Sequence, residues 1–399
     1  MPSHVLRLEE LAVREVRNLR RVDLSPAPRV NVIAGNNGQG KTSLLEAIYL
    51  VATSRSFRTS ALAEVGQHGA EAASVRARFV EVPVFDLEDG GAGAVDTETA
   101  WHRGEPVRRE QVVGLAAGRS TLRIDGNRPR SMAEFAVRSP VVAFHPDELE
   151  LSSGPAARRR ILLDRLALFV EPQSADHRAR YGKALRARQQ LLKTGRAGDG
   201  AEPGADVEAF EALCATHGAA LTRARARAAA MLALELVPIF ARIAAPGLRL
   251  DASYRPGGSD DEATARDELA RHRARDRHRP SAGFGPHRDD LHLALDGHPA
   301  RIVASQGQHR ALTLALKAAE TACIASVRGV EPIQLLDDVS SELDADRTRA
   351  LFEFLASRRG QLFLTTTRPD LIVTPGIGPS ERRDFVVEEG SIRPASAPP

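Results

Sequence analysis

The run Gly35-Asn36-Asn37-Gly38-Gln39-Gly40-Lys41-Thr42 places glycines, an amine and a hydroxyl at the spacing that grips phosphate. It fits G-x-x-x-x-G-K-[ST] at every position. Gly35, Gly38 and Gly40 let successive backbone N–H groups turn inward onto phosphate oxygens. Lys41 brings a compact positive charge to the β and γ phosphates, and the Thr42 hydroxyl is a ligand for Mg2+. Ser43 completes this nucleotide-binding set, whose expected cofactors are ATP and Mg2+. The alternative is a chance glycine-rich turn, which is rare in a chain whose lysines are only Lys41, Lys183, Lys193 and Lys317.

Far downstream, PIQLLDD (332–338) is a short apolar run ending in two carboxylates. Asp337 at a strand end suits the Mg2+ shell, and Asp338 is placed to orient or deprotonate an attacking water. Lys41 and Asp338 are therefore the expected catalytic pair. Any Asp-Asp pair is also compatible with a solvated turn after a core strand, and the phosphate loop upstream decides against that. In SQGQHR (305–310), Ser305 is either a simple helix N-cap or, with Gly307 and Gln308, part of a second phosphate-binding surface at a helix N-terminus. Its place 32 residues before Asp337 favours the second.

These residues need elements to hold them. VNVIAG (30–35) reads as a buried strand, and KTSLLEAIYLVAT (41–53) has apolar residues Leu44, Leu45, Ile48 and Val51 at helical spacing. The phosphate loop thus sits between strand and helix, as its geometry requires. Residues 73–144 read as short strands around an acidic loop at 85–100. Beyond about 155 the pattern becomes helical, with a linker or hairpin tip at 195–205, a turn at 255–264 and an arginine-rich stretch at 268–280. Strands return at 289–303, followed by helix, strand, helix and strand to 367. The chain therefore reads as α/β, then helical, then α/β, with both α/β parts carrying pieces of one site.

Composition narrows the class. At 42% hydrophobic and 27% charged, the chain has the make-up of an ordinary globular protein and not of a disordered one. Two cysteines, Cys214 and Cys323, give neither a disulfide framework nor a Cys-x-x-Cys zinc site. The N-terminus has no apolar run, and the longest apolar stretch, 228–248, is interrupted by Glu235, Pro238 and Arg242. A cytoplasmic protein with no membrane partner is expected. The net charge is +3, supplied mostly by arginine, which by itself does not establish a phosphate-binding surface.

GNNGQGKTSLLEAIYL, SQGQHRALTLALKAAE and LLDDVSSELDADRTRAL, in that order and spacing, resemble an ABC-type, SMC-like ATPase head, and more closely the RecF family. FHPDELELSSGPAARRRILLD (144–164), GPHRDDLHL (285–293) and RNL (17–19) resemble further segments of that family, so the likeness runs over nearly the whole chain. The resemblance implies an α/β ATPase head assembled from N- and C-terminal parts, 1–155 and 286–390. A helical arm, 156–285, lies between them, and a disordered tail, 391–399, follows. It implies that Gly35 to Thr42 are the Walker A loop and that Asp337 with Asp338 ends the Walker B strand. Ser305, Gly307 and Gln308 would then be a signature motif reading ATP held by a second copy, and Ser341, Glu342, Leu343 and Asp344 a loop at the dimer seam. It further implies a weak, DNA-stimulated ATPase in recombinational repair, replication and the response to DNA damage. Its implied partners are DNA at single-strand gaps and junctions, bound without sequence preference, and RecR and RecO, and through them RecA. An ATP-dependent homodimer is the implied assembly.

This chain departs from the pattern in two places that bear on chemistry. Asp338 stands where many ABC ATPases have glutamate, and TTTR (365–368) stands where many have a switch histidine. A transporter ATPase subunit shares the motifs but has a far shorter spacer; here Lys41 and Ser305 are 264 residues apart. A zinc-hook repair ATPase requires long heptad arms and a Cys-x-x-Cys tip, and neither is present. Arg271, Arg273, Arg275, Arg277 and Arg279 are candidate DNA contacts, each competing with the reading of a solvated helix arginine.

Overall fold

Alternation of apolar and polar residues over the first two dozen positions is realised as a hairpin, β1 (His4–Val16) and β2 (Leu19–Leu24). The chain continues through β3 (Val30–Ala34), α1 (Lys41–Thr53), β4 (Ala72–Pro83), β5 (Val107–Ala116), β6 (Arg119–Ile124), α2 (Met132–Arg138) and β7 (Val141–Phe144). A largely helical stretch follows: α3 (Glu150–Ser153), α4 (Ala156–Val170), α5 (Ser174–Thr194), α6 (Ala205–Ile243), β8 (Leu250–Arg255), α7 (Glu262–Asp276), β9 (Asp290–Leu295), β10 (His298–Pro299), α8 (Ala300–Val303) and α9 (Gln306–Arg328). The chain closes with β11 (Val330–Glu331), β12 (Ile333–Leu336), β13 (Leu362–Thr366), β14 (Arg382–Glu388) and β15 (Ser391–Pro394). This computed structural model describes residues 3–83, 105–194, 204–243, 247–279, 281–338, 358–369, 372, 374 and 376–395. The 85–100 loop, most of the 195–205 linker, and Ser341, Glu342, Leu343 and Asp344 lie outside them.

Two compact units result, one from Met1–Glu148 with Glu320–Pro399 and the other from Leu149–Ala319. The first unit holds two sheets. One has the order β15-β14-β3-β13-β12-β7 and is parallel from β14 to β7. Its strands VNVIA, IQLL, LFLTT and VVAF are buried almost throughout, the pattern of a parallel sheet covered on both faces. The other sheet, β11-β1-β4-β5-β6 with β2 on β1, is mainly antiparallel, and strand β4 alternates buried and exposed residues. Helix α1 is buried from Ser43 to Ala52 and shares one apolar core with strands of both sheets.

The second unit packs α5, α6 and α7 around Tyr181, Ala184, Cys214, Ala215, Leu221, Ala265 and Leu269. Arg188 of α5 is fully buried and bridges all three helices. It donates to Glu211 of α6 at 3.0 Å, to Asp276 of α7 at 2.7 Å and to the Leu269 carbonyl at 2.9 Å. A small antiparallel sheet, β10-β9-β8, completes the unit. Because β9 pairs with β8, residues 286–319 belong here, and the unit does not end near 285 as the change of sequence character suggests. Residues 300–303 form a helical turn, where the sequence reads as strand. Fully buried Asp289 accepts from Tyr254 Oη at 2.5 Å, Arg225 Nη1 at 2.9 Å and the Gly257 N–H at 2.8 Å. The GPHRDD segment is thereby tied into this unit and to Gly257 of the 255–264 turn, most of whose residues are exposed.

Residues 391–394, expected to open a disordered tail, form a strand instead. Glu389 and Gly390, at φ 48° and 76°, make the two-residue turn that hairpins favour, and Ser391–Pro394 return as β15 along β14. No helix among the described residues is long and apolar enough to cross a membrane.

Candidate functional site

In an open parallel sheet, ligands gather beyond the carboxyl ends of the strands. Here β3 delivers the glycine loop, β12 delivers Asp337 and Asp338, and β13 lies between them. The loop and the Asp pair, 295 residues apart in sequence, come within hydrogen-bonding distance. Thr42 Oγ1 lies 2.9 Å from both Asp337 Oδ1 and Oδ2.

Local sequence explains the loop's shape. Gly35 approaches β14 so closely that a Cβ there would stand 2.5 Å from the Val387 carbonyl oxygen. Gly40 precedes α1 at φ 118°, and a Cβ would meet Leu19 at 2.9 Å. No side chain caps α1, and its first turn holds no acidic residue, so the helix keeps N–H donors for an anion. Lys41 is buried, and its Nζ donates to the carbonyls of Gly35 at 2.7 Å and Asn36 at 3.0 Å. Burial holds its pKa below the usual lysine value, opposed by the nearby Asp338 and Asp337 carboxylates.

The cleft at this site encloses about 500 Å³ and is lined by Asn37, Gly38, Gly40, Lys41, Thr42, Ser43, Asp337 and Asp338. Gly35 and Asn36 support it through their carbonyls. Gln39 turns the other way and binds the β14–β15 turn, accepting from the N–H groups of Glu389 at 2.6 Å and Gly390 at 3.0 Å. Three further lining residues, Arg17, Asn18 and Arg58, are not marked by the phosphate motif. Arg17 and Asn18 form the β1–β2 turn, the first two residues of the RNL segment. Asn18 Oδ1 accepts from Ser43 at 2.8 Å, and its Nδ2 donates to the Gly38 carbonyl at 3.2 Å. Fully buried Glu46 of α1 accepts from Arg17 Nε at 2.9 Å and Nη2 at 2.8 Å, and from Ser56 at 2.5 Å; Arg58 lies 3.5 Å away. Beyond the RNL segment that contains Arg17, the sequence signal for these arginines is Glu46 among the apolar residues of α1, which when buried demands a cation.

The Thr42 hydroxyl and the Asp337 carboxylate are hard oxygen donors converging on one point. That suits Mg2+, which takes few protein ligands and fills its shell with water and phosphate oxygens. The site can hold a polyphosphate against N–H groups and cations, with a carboxylate beside it.

Ser305, Gly307 and Gln308 lie in the second unit, at the start of α9, and do not line this cleft. Ser305 and Gln308 form a reciprocal cap: the Gln308 N–H donates to Ser305 Oγ at 3.3 Å and the Ser305 N–H to Gln308 Oε1 at 2.7 Å. Ser305 remains exposed. Among the candidate DNA contacts, Arg273 is half-buried and bound to Glu211, its Nη2 to Oε2 at 2.5 Å, and Arg271 pairs with Glu268. Arg275 and Arg279 are exposed, and Arg277 is half-buried.

Residues 7–374 match the family model described as RecF/RecN/SMC N terminal domain. The chain is 38% identical to the DNA replication and repair protein RecF of Anaeromyxobacter sp. (strain Fw109-5), over 98% of this chain and 99% of that protein. It is 34% identical to the protein of the same name from Myxococcus xanthus, over 92% of each. A solved structure of the recombination mediator protein RecF with ATP, in the RecFOR pathway, is 25% identical and superposes with a TM-score of 0.83 over 99% of both chains. The Smc head domain from Pyrococcus furiosus, bound to the C-terminal domain of ScpA, covers 98% of this chain and 96% of that one at 15% identity and a TM-score of 0.53, a likeness of fold alone.

Proposed function

The chain belongs to the RecF/RecN/SMC family, within it to the RecF DNA replication and repair proteins, and from that premise we propose that it is a DNA-dependent ATPase of gap repair. The observation that carries this reading is the meeting of Lys41, Thr42, Asp337 and Asp338 in one cleft. The α1 N-terminus and the loop N–H groups bind the phosphates, and Lys41 leaves its two loop carbonyls to neutralise the β and γ oxygens. Thr42 and Asp337 would hold Mg2+, which would supply positive charge against the charge that builds on the phosphates. Asp338 orients the attacking water and accepts its proton. Aspartate reaches less far than glutamate, which fits slow turnover and a long-lived ATP state.

Exposed Ser305, in the second unit, reads the γ-phosphate of ATP held by a second copy, so ATP joins two chains and hydrolysis parts them. The joined heads bind gapped DNA through phosphate contacts, without base reading, in the cytoplasm. There they act with RecR and RecO to place RecA on the single strand. The family name and the RecFOR setting of the ATP-containing RecF structure support this role.

The test is ATP binding and turnover by wild type and Lys41→Met, with and without gapped DNA and across a salt series. Wild-type turnover is expected to rise with DNA, and DNA affinity to fall steeply with salt. Lys41→Met is expected to fold normally and to lose turnover by a hundredfold or so, an order of magnitude typical of removing a transition-state charge. A folded Lys41→Met with wild-type turnover removes the site. DNA affinity that ignores salt removes the phosphate-contact reading.

A further inference from the structure

Strand β13 ends in Thr365 and Thr366, the start of the TTTR run that stands where a switch histidine is common. The strand is buried along its length, and a buried hydroxyl is costly unless it is hydrogen-bonded. Thr366 Oγ1 accepts from the N–H of Arg368 at 2.9 Å, a local turn contact. Thr365 is different. It is 2% exposed, and its Oγ1 donates to Asp337 Oδ1 at 2.8 Å while accepting from the Asp338 N–H at 2.9 Å.

One oxygen therefore holds the side chain of the first carboxylate residue and the backbone of the second. The backbone contact matters because Asp338 sits at φ 47°, in the left-handed region that a non-glycine residue adopts at a cost. The preceding residue is fixed from the other side, where the Asp337 N–H donates to the Phe144 carbonyl of β7 at 2.8 Å. The chain leaves β12 with one N–H bonded to each neighbouring strand, and on the β13 side the acceptor is a side chain.

We propose that Thr365 is a positioning residue of the nucleotide site, whose hydroxyl aims Asp337 at the Mg2+ position shared with Thr42 and aims Asp338 at the attacking water. This rests on the ATPase reading above. If Thr365 only fills a strand, valine is a harmless replacement, since it has nearly the same shape and a strong preference for strands. If the hydroxyl positions the acids, valine leaves the Asp338 N–H without its acceptor and removes a donor from Asp337, while serine restores both.

Thr365→Val, Thr365→Ser and Thr365→Ala are compared with wild type by two readouts: binding of a fluorescent ATP analogue titrated with Mg2+, and steady-state turnover. Thr365→Val is expected to bind the analogue in EDTA as wild type does. It should need about tenfold more Mg2+ for half-maximal binding and turn over about tenfold more slowly at little changed KM, the scale of a lost bond to a charged group. Thr365→Ser is expected within about twofold of wild type in both. A wild-type Mg2+ response and turnover in Thr365→Val overturns the proposal. So does equal damage in valine and serine variants, which assigns the effect to methyl packing. Should the valine variant not fold, alanine against serine decides by the same criteria. A wild type that neither binds nor hydrolyses ATP defeats the ATPase reading itself, a different result from an active wild type with an indifferent Thr365→Val.

Discussion

Lys41 and Asp338 line the same cleft, and under the proposed ATPase reading they act on different parts of the substrate, so their variants are expected to separate. Asp338→Asn keeps the shape and leaves Asp337 and Thr42 to hold Mg2+. ATP affinity should stay within a few-fold of wild type, while turnover falls by about 10²-fold, the usual worth of a general base. Separate measurement of nucleotide affinity and single-turnover rate checks this; a large affinity loss at unchanged rate contradicts it. At this scale much was legible in advance. The phosphate loop is a local motif whose glycines each answer a visible need, such as the close approach of Gly35 to Val387. The pairing of Thr42 with Asp337 follows from motif chemistry across 295 residues. Arg17, Asn18 and Arg58 were not marked by that chemistry, because they reach the cleft through a hairpin turn and a buried glutamate, and no fixed spacing announces either. Thr365 was marked only as the first residue of the TTTR run and not as a partner of the acids, since a threonine at a strand end is ordinary until its two partners are known.

At the scale of elements, helix α1 and the parallel strands β3, β12 and β13 declared themselves by periodicity and by apolar runs, whereas β14, RRDFVVE, is mostly polar and half-exposed and did not. The helical insertion was legible as a change of character, but its limit was not, because β9 is an apolar strand whose partner β8 lies on the far side of α7. Nor was the β15 hairpin, whose only signal is Glu389-Gly390 in a polar stretch. The arginine-rich α7 illustrates why composition misleads: Arg273 serves Glu211 inside the unit, beside the buried Arg188 bridge. Arg188→Ala would strand Asp276 and weaken the hold on Glu211, both buried. The expected cost is about 3 kcal/mol, the low end for breaking a buried pair, since Asp276 retains the Gly283 N–H and Glu211 retains Arg273. Hydrogen exchange over α5, α6 and α7 reads this directly; protection unchanged within about 1 kcal/mol would show that the bridge is dispensable.

At the scale of the whole molecule, Ser305 stands exposed in one unit while the cleft lined by the phosphate-loop motif belongs to the other. Under the reading proposed here, each copy supplies a nucleotide to the other's Ser305, which makes a two-fold, self-complementary contact. ATP then stabilises the pair by linkage, and ADP, lacking the γ-phosphate, does not. Ser305→Arg keeps the cleft intact, because Ser305 does not line it, but sets a long cation in the seam. The direct measurement is sedimentation velocity of wild type and Ser305→Arg with Mg2+–ATP, with Mg2+–ADP and without nucleotide, in the presence and absence of gapped DNA. Wild type should shift from monomer to dimer with ATP alone among these nucleotide states, most fully on DNA, while Ser305→Arg binds ATP and stays a monomer. A wild type that remains monomeric with ATP on DNA, or a Ser305→Arg variant that dimerises as wild type does, contradicts the account and leaves Ser305 as the cap of α9.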